Sequence, residues 1–479
     1  MPRHALRFFA LLAVATTPLH AAEWFVATTG NNTTGTGSAA QPFRTLNHVL
    51  SPANGIVQAG DIVTVRGPAG ANTYAECEVR LRVRLTLRSP PGERAHIACG
   101  LGVPDSVAVQ IDPNASGSVL THLEISGGFY YGVFLQTYWY QGGGENERGA
   151  SDVLLDDLLI HHTGRDAIKI TPHSDRVTIR NSEIHHSGAI YPPGTPLDDM
   201  NAEGIDNVNG SGMVVEDNWI HHTATTCVYF KGGATDVIVQ RNRLEDCGVA
   251  GVLVGFDTSP EFFDLQANPG YYEAIRGIVR NNVVRRAGYA GIGLYASRDS
   301  IVANNTIIDT ATLGHAALYF GVTFQDWEPQ AARPPNLNPR LANNLVIQGS
   351  GNSLRIRWSS ELGGLSGLTG ASGSDYNGYY RSGGNCVFAD NRPGSPLAGG
   401  GTLAQWRSHA NADLNSLVAP FSVDAGGHLP AGSPAIDAGS ADPAVNDDID
   451  REARVAPYDI GADEARGDVI FRHGFESVP

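Results

Sequence analysis

The sequence predicts an all-β fold: a right-handed parallel β-helix solenoid with an N-terminal cap and a C-terminal Gly/Asp-rich lid. Three observations lead there. Eight segments between about Val119 and Ile347 share one shape, a β-branched run, a polar step and an apolar pair, as in Val177-Thr178-Ile179-Arg180-Asn181-Ser182-Glu183-Ile184. Aligned, they place Leu123, Leu158, Ser182, Asn218, Asn242, Asn282, Asn305 and Asn344 in one column, at spacings of 35, 24, 36, 24, 40, 23 and 39 residues. A fixed period of this length, built of strands, is the mark of a solenoid whose coils bury a shared core. The five final column positions are all Asn. A buried Asn at a bend hydrogen-bonds both the backbone and its neighbour, whereas a leucine-rich repeat needs a Leu-dominated consensus. Three short strands with turns occupy about 22–25 residues, so coils stack in parallel ~4.8 Å apart.

Taken in order, residues 1–22 carry Arg3 and Arg7, the apolar run Phe8 to Ala15 and the small residues Ala21-Ala22. This is the pattern of a signal peptide, and it predicts a secreted or cell-surface protein. No other apolar run approaches ~20 residues, so no membrane span is expected. Without the signal, 31 basic residues face 49 acidic ones, a net charge of −18. That acidity argues against nucleic acid or an anionic membrane as partner, and a monomer is expected. Of five Cys, Cys77 with Cys99 and Cys227 with Cys247 are candidate disulfides, leaving Cys386 unpaired. The expected divisions are 23–100 for the cap and first coils, 101–348 for the β-helix, 349–464 for the C-terminal coils and following segment, and 465–479 for a tail.

The opening segment, Trp24 to Asn31, then Gln41 to Leu46, then Gly60 to Arg66 leading into Leu85 to Ser89, resembles that of many secreted β-helix proteins, the pectate-lyase-like ones included. The resemblance implies a strand and an amphipathic helix, about Leu46 to Val57, covering the open end of the coils. An exposed first coil offers a free sheet edge. Near the C-terminus, Gly432-Ser433-Pro434-Ala435-Ile436-Asp437-Ala438-Gly439 and Tyr458-Asp459-Ile460-Gly461-Ala462-Asp463-Glu464 resemble a choice-of-anchor Q-type segment. Its Asp residues are expected to cap turns in preference to holding Ca²⁺. The stretch Asp468 to Glu476 looks like the short ending of some secreted proteobacterial proteins.

Only two of the 33 basic residues are Lys, and both fall in the second strand of the repeat. Aligning Gly132-Val133-Phe134-Leu135-Gln136, Ala167 to Thr171, Gly204 to Val208 and Cys227 to Lys231 turns the β-branched residues inward. Phe134, Lys169, Asp206, Tyr229 with Lys231, Leu253, Tyr295 and Tyr319 then point outward. This expectation puts Asp206 one coil from each Lys, ~5 Å along the stack. Insertions Thr137 to Ser151, Phe256 to Ala274 and Val322 to Pro339 follow the strand, and Ala189 to Ala202 precedes it, so they wall a cleft. They carry Tyr138, Trp139, Tyr140, Phe262, Phe263, Tyr271, Tyr272 and Trp327, aromatic faces suited to sugar rings.

A charged cluster flanked by aromatic residues suits an acidic polysaccharide or other glycan. Asn201-Ala202-Glu203-Gly204 resembles the Asn-Ala-Asp-Gly of one pectate lyase family, without the dense Asp cluster that follows there. Thr171-Pro172-His173-Ser174 is similar to the Asp-Pro-His-Asp motif of mannuronan C5-epimerases, with only Pro172 and His173 matching. Both resemblances imply chemistry at the C5 proton of a uronic acid. On this reading Lys231 or Lys169 is the base, Glu203 and Asp206 hold a Ca²⁺ ion, and His173, Tyr229, Tyr295, Tyr319 and Trp139 contact sugar. The Asn-Thr-Asp and Gly-His-Gly elements of polygalacturonases are absent. The competing reading of Lys169, Asp206 and Lys231 is a structural cross-strand charge ladder, and the corresponding function is a non-catalytic glycan-binding or cell-surface protein. His161-His162, His185-His186 and His221-His222 recur at one turn position. No acidic ligand recurs with them, so a structural stack is expected.

Overall fold

The computed structural model describes residues 21–138, 148–322, 333–359, 365–366, 368–369 and 373–465. The signal segment up to residue 20, Trp139, Tyr140, Trp327 and the tail from residue 466 lie outside these residues. Among the described residues the chain is a right-handed parallel β-helix. One face is an 11-stranded sheet running from Val79–Leu81 to Phe388–Asp390. A 22-stranded sheet makes up most of the remainder and bends once per coil. Alternation sends one side of each strand into the core. Val133, Ile168, Ile205, Val228, Val252, Ile292, Leu318, Leu354 and Phe388 stand in one register column, all fully buried.

The bend has a two-residue code. Its first residue is left-handed: Asn181, Asp217, Arg241, Asn281, Asn304, Asn343 and Tyr376 all have φ between 52° and 59°. Asn and Asp tolerate that conformation best among residues with a side chain. The second residue is the expected column. Asn242 Oδ1 accepts from Asn218 N and Nδ2, and the same pair of bonds repeats from Asn242 to Asn282, Asn305, Asn344 and Asn377. Ser182 and Ser416 end the ladder with hydroxyls in place of amides.

The cap helix is shorter than expected. It spans Leu46–Leu50, with Thr45 as its N-cap. Pro52 drives Ser51 to an extended ψ of 124°, which stops the helix there. At the far end, Leu403–Ala410 begins with a Thr402/Gln405 capping box and buries Trp406 against Phe388 of the last strand, ring centroids 6.1 Å apart. Disulfides join Cys77 to Cys99 and Cys227 to Cys247, and Cys386 is a buried thiol.

The C-terminal segment does not close the end of the coils; it runs back along the outside of the bend. Asn343 donates to Ser440 O (2.8 Å), Arg454 reaches Asn281 Oδ1 (3.1 Å), and Arg241 pairs with Asp447 (2.6 Å). The left-handed residues of the bend present these polar side chains outward. As expected, its Asp residues cap turns: Asp448 accepts from the backbone of Asp450 and Glu452, and Asp459 from that of Asp437. No helix among the described residues is long and apolar enough to cross a membrane.

Candidate active site

The 11-stranded sheet carries the site. In Ile168–Ile170, Ile205–Val208 and Val228–Lys231 the register pairs Lys169 with Asp206 and Asp206 with Tyr229, as the alignment predicts. The prediction for Lys231 needs correcting. It stands opposite Val208, two positions along the strand from the Asp206 partner. Its Nζ donates to Asp257 O (2.7 Å) and lies 4.6 Å from the centre of the Tyr229 ring. Both lysines still reach one cleft of about 300 Å³, lined also by Asn201, Glu203, Tyr229, Phe256 and Phe262. Its walls come from the Ala189 to Ala202 and Phe256 to Ala274 insertions.

Beneath the cleft Lys169 is ion-paired to Asp206 and lies 3.7 Å from Asp166 Oδ2. Both carboxylates are fully buried, and Asp166 Oδ2 makes no hydrogen bond among the described residues. Burial pulls the Lys169 ammonium down, but Asp206 and Asp166 outweigh it and hold it above its ordinary range. Burial raises Asp166 well above the usual carboxylate range, with the Glu203 charge adding to it, and burial raises Glu203 as well. Burial, then the Asp206 and Glu203 charges, raise the Tyr229 phenol.

Sequence reasoning missed Asp166. The alignment that pairs Ala167 with Gly204, extended one residue toward the N-terminus, puts Asp166 beside Glu203. One oxygen from each of Asp166, Glu203 and Asp206 lies within 4.8 Å of the others. With its nitrogen turned toward them, the Asn201 amide donates to Glu203 Oε2 (2.8 Å) and Asp166 Oδ1 (3.3 Å). Turned the other way, it completes an all-oxygen set, the donor chemistry of a hard cation.

Three other expected contacts fall elsewhere. Tyr295 and Tyr319 stand on the outer face of the sheet as aligned, but they are buried there, ring centroids 5.7 Å apart, in a cluster with Leu253, Ala290 and Ala316 separate from the core. Gly321 makes room for this: a Cβ there would meet Tyr295 Cε1 at 2.1 Å. Tyr229 is buried too, yet it lines the cleft. His173 lines a separate cavity of about 200 Å³ with Asp175, Asn209, Asp264 and Asn268. In the wall between, Glu273 and Arg333 form a fully buried ion pair (2.7 Å), and Arg333 packs on Tyr271 and Phe263, so those rings hold the wall.

A family model described as a right handed beta helix region matches residues 107–268. No curated protein matches the chain. Among solved structures, the crystal structure of pectate lyase Pel9A is 14% identical, with a TM-score of 0.54 over 93% of this chain and 96% of that one. The complex structure of XylC with xylose is 12% identical, with a TM-score of 0.52 over 92% of this chain and 98% of that one. Likeness at these identities is likeness of fold: the chain is a right-handed parallel β-helix.

Proposed function

We propose that the protein is a secreted carbohydrate-active enzyme that cleaves a uronic acid polymer by β-elimination. The observation that carries this reading is the convergence of both lysines of the chain on one cleft, above a buried acidic cluster. The two lysines have different parts. Lys169, kept protonated by Asp206 and Asp166, supplies fixed positive charge for the substrate carboxylate. Lys231 has no carboxylate within ion-pair distance among the described residues, and it is the base. It takes the C5 proton onto Nζ, the C4–C5 double bond forms, and the C4–O bond breaks as the leaving oxygen takes a proton from solvent. Asp166, Glu203 and Asp206 would hold Ca²⁺, which when bound offsets the negative charge of the substrate carboxylate. Tyr229 and Asn201 orient the sugar.

The burial of Tyr295 and Tyr319 favours this reading over a non-catalytic binder, because it removes the flat aromatic strip on which a glycan would stack. The test incubates the protein with a panel of uronic acid polymers and Ca²⁺ and follows the ultraviolet absorbance of the unsaturated product. A rise is expected, lowered about 10²–10⁴-fold in Lys231→Ala, the usual contribution of a general base. A flat trace with an altered ratio of C5 epimers in the recovered polymer would replace elimination by epimerisation. A flat trace with unaltered polymer, together with retardation in polymer-containing gels, would make the protein a binder.

A further inference from the structure

The other large sheet carries a second cluster, unrelated to the cleft. Ala95–Cys99, Val119–Gly127 and Leu154–His161 are neighbouring parallel strands in which His96 pairs with Glu124 and Ser126 with His161. Glu124 Oε1 lies 3.5 Å from His96 Nδ1 and 3.2 Å from His161 Nε2. One ligand atom from each of the three residues lies within 4.8 Å of the others. These separations are long for charge-assisted hydrogen bonds, which run about 2.7–2.9 Å. They match the edges, about 3.3 Å, of a tetrahedron around an ion with bonds of about 2.0–2.1 Å.

The surroundings are those of a ligand set. His96 Nε2 meets Ser126 Oγ at 2.7 Å, and His161 Nδ1 meets His162 Nδ1 at 2.8 Å, so both imidazoles are fixed through the nitrogen that faces away from Glu124. Outer hydrogen bonds of this kind orient metal-binding histidines. The six paired histidines lock the plane of His161. His185 stacks on His161 at 5.1 Å and His221 on His185 at 4.9 Å, while His162, His186 and His222 form a parallel column at 4.8 and 5.1 Å. The expected structural stack is therefore present, and, against the expectation that no acid accompanies it, Glu183 Oε1 lies 3.3 Å from His221 Nε2; at the N-terminal end Glu124 stands between two imidazoles, His96 and His161.

We propose that His96, Glu124 and His161 bind a divalent transition metal of the Zn²⁺ class, with the histidine stack as its support. Two imidazoles and a carboxylate leave the fourth position open to water or a ligand. The full-length secreted chain, stripped with a chelator, is titrated with ZnCl₂ by calorimetry and with Co²⁺ by visible absorbance. One equivalent of Zn²⁺ is expected, unaffected by excess Ca²⁺, with the intense Co²⁺ bands of tetrahedral coordination. Glu124→Gln and His96→Gln should each weaken binding at least tenfold, and Asp450→Asn should not: Asp450 lies in the C-terminal segment, 3.0 Å from His428 Nε2, in a separate group of His428, Asp450 and Asp463. Absence of Zn²⁺ binding, unaltered binding in both Gln variants, or a weak octahedral Co²⁺ spectrum would overturn the proposal. The Co²⁺ spectrum of the unmutated protein decides even where a variant fails to fold.

Discussion

Asn282 uses one side chain to join three coils. Its Oδ1 accepts from Asn242 N and Nδ2, and its Nδ2 donates to Val239 O, Arg280 O and Asn305 Oδ1. Asn282→Ala leaves several of these buried groups unpaired, at about 1–3 kcal/mol each. The urea midpoint should fall accordingly, and an unchanged midpoint would remove the ladder's stabilising role. The two lysines make a second residue-scale contrast. Lys169→Met strands two buried carboxylates, and a loss of about 3–5 kcal/mol is expected from breaking a buried ion pair. Lys231→Ala removes one hydrogen bond at the cleft and should cost about 1 kcal/mol. Equal losses in urea unfolding would contradict the division of roles between them. Lys169 and Asp206 were legible as neighbours, because strand alternation and alignment suffice to pair them. That Lys169 is locked was not, since Asp166 lies just outside the aligned strand.

At the scale of elements, the Phe256 to Ala274 insertion is a built wall. Glu273 accepts from Gly232 N (2.9 Å), Thr258 Oγ1 (2.7 Å) and Arg333 Nε (2.7 Å), which ties the insertion to the second strand and to the segment after the next insertion. Arg333→Ala should leave Glu273 buried without its cation and loosen the wall, again at about 3–5 kcal/mol. Limited proteolysis within Phe256 to Ala274 reads this directly: cleavage no faster than in the unmutated protein would sink the assignment. The insertion was visible in the sequence as extra length between repeats. Its anchor was not, because Glu273 and Arg333 are 60 residues apart and follow no repeat position.

Over the whole molecule, two oppositely shifted histidines contribute to the pH dependence of stability. Asp450 and Asp424, working against burial, raise His428 to about 9 and hold the C-terminal segment to itself. That contribution is complete below the ordinary His value near 6.5 and is lost as pH rises through about 9. His185 is the opposite case: burial, then the His221 and His161 charges, lower it to about 3. The unfolded chain takes up that proton near 6.5, so the stack's contribution is lost as pH falls from there toward 3. Melting temperature against pH should pass through a plateau near neutrality. His428→Gln should lower that plateau and flatten its alkaline decline; an unchanged alkaline limb would refute the role of His428.

Period, strand alternation and the composition of the bend are carried by residues near one another in the chain. The sequence by itself therefore determined the β-helix, the Asn column up to Asn344 and the sheet on which Lys169 and Asp206 meet, and it offered both disulfide pairs as candidates that the structure joins. Asn377 escaped because the repeat around it is diluted by glycine and serine. Tertiary structure alone decided what depends on offsets between coils and on depth. A two-residue offset separates Lys231 from Asp206, packing on the outer face beside Gly321 buries Tyr295 there, and the C-terminal segment docks on left-handed residues of the bend. The meeting of His96, Glu124 and His161 belongs with these. His96 and Glu124 share a register position while His161 stands two residues further along, and only the stacking of the three coils brings their ligand atoms within reach of one ion.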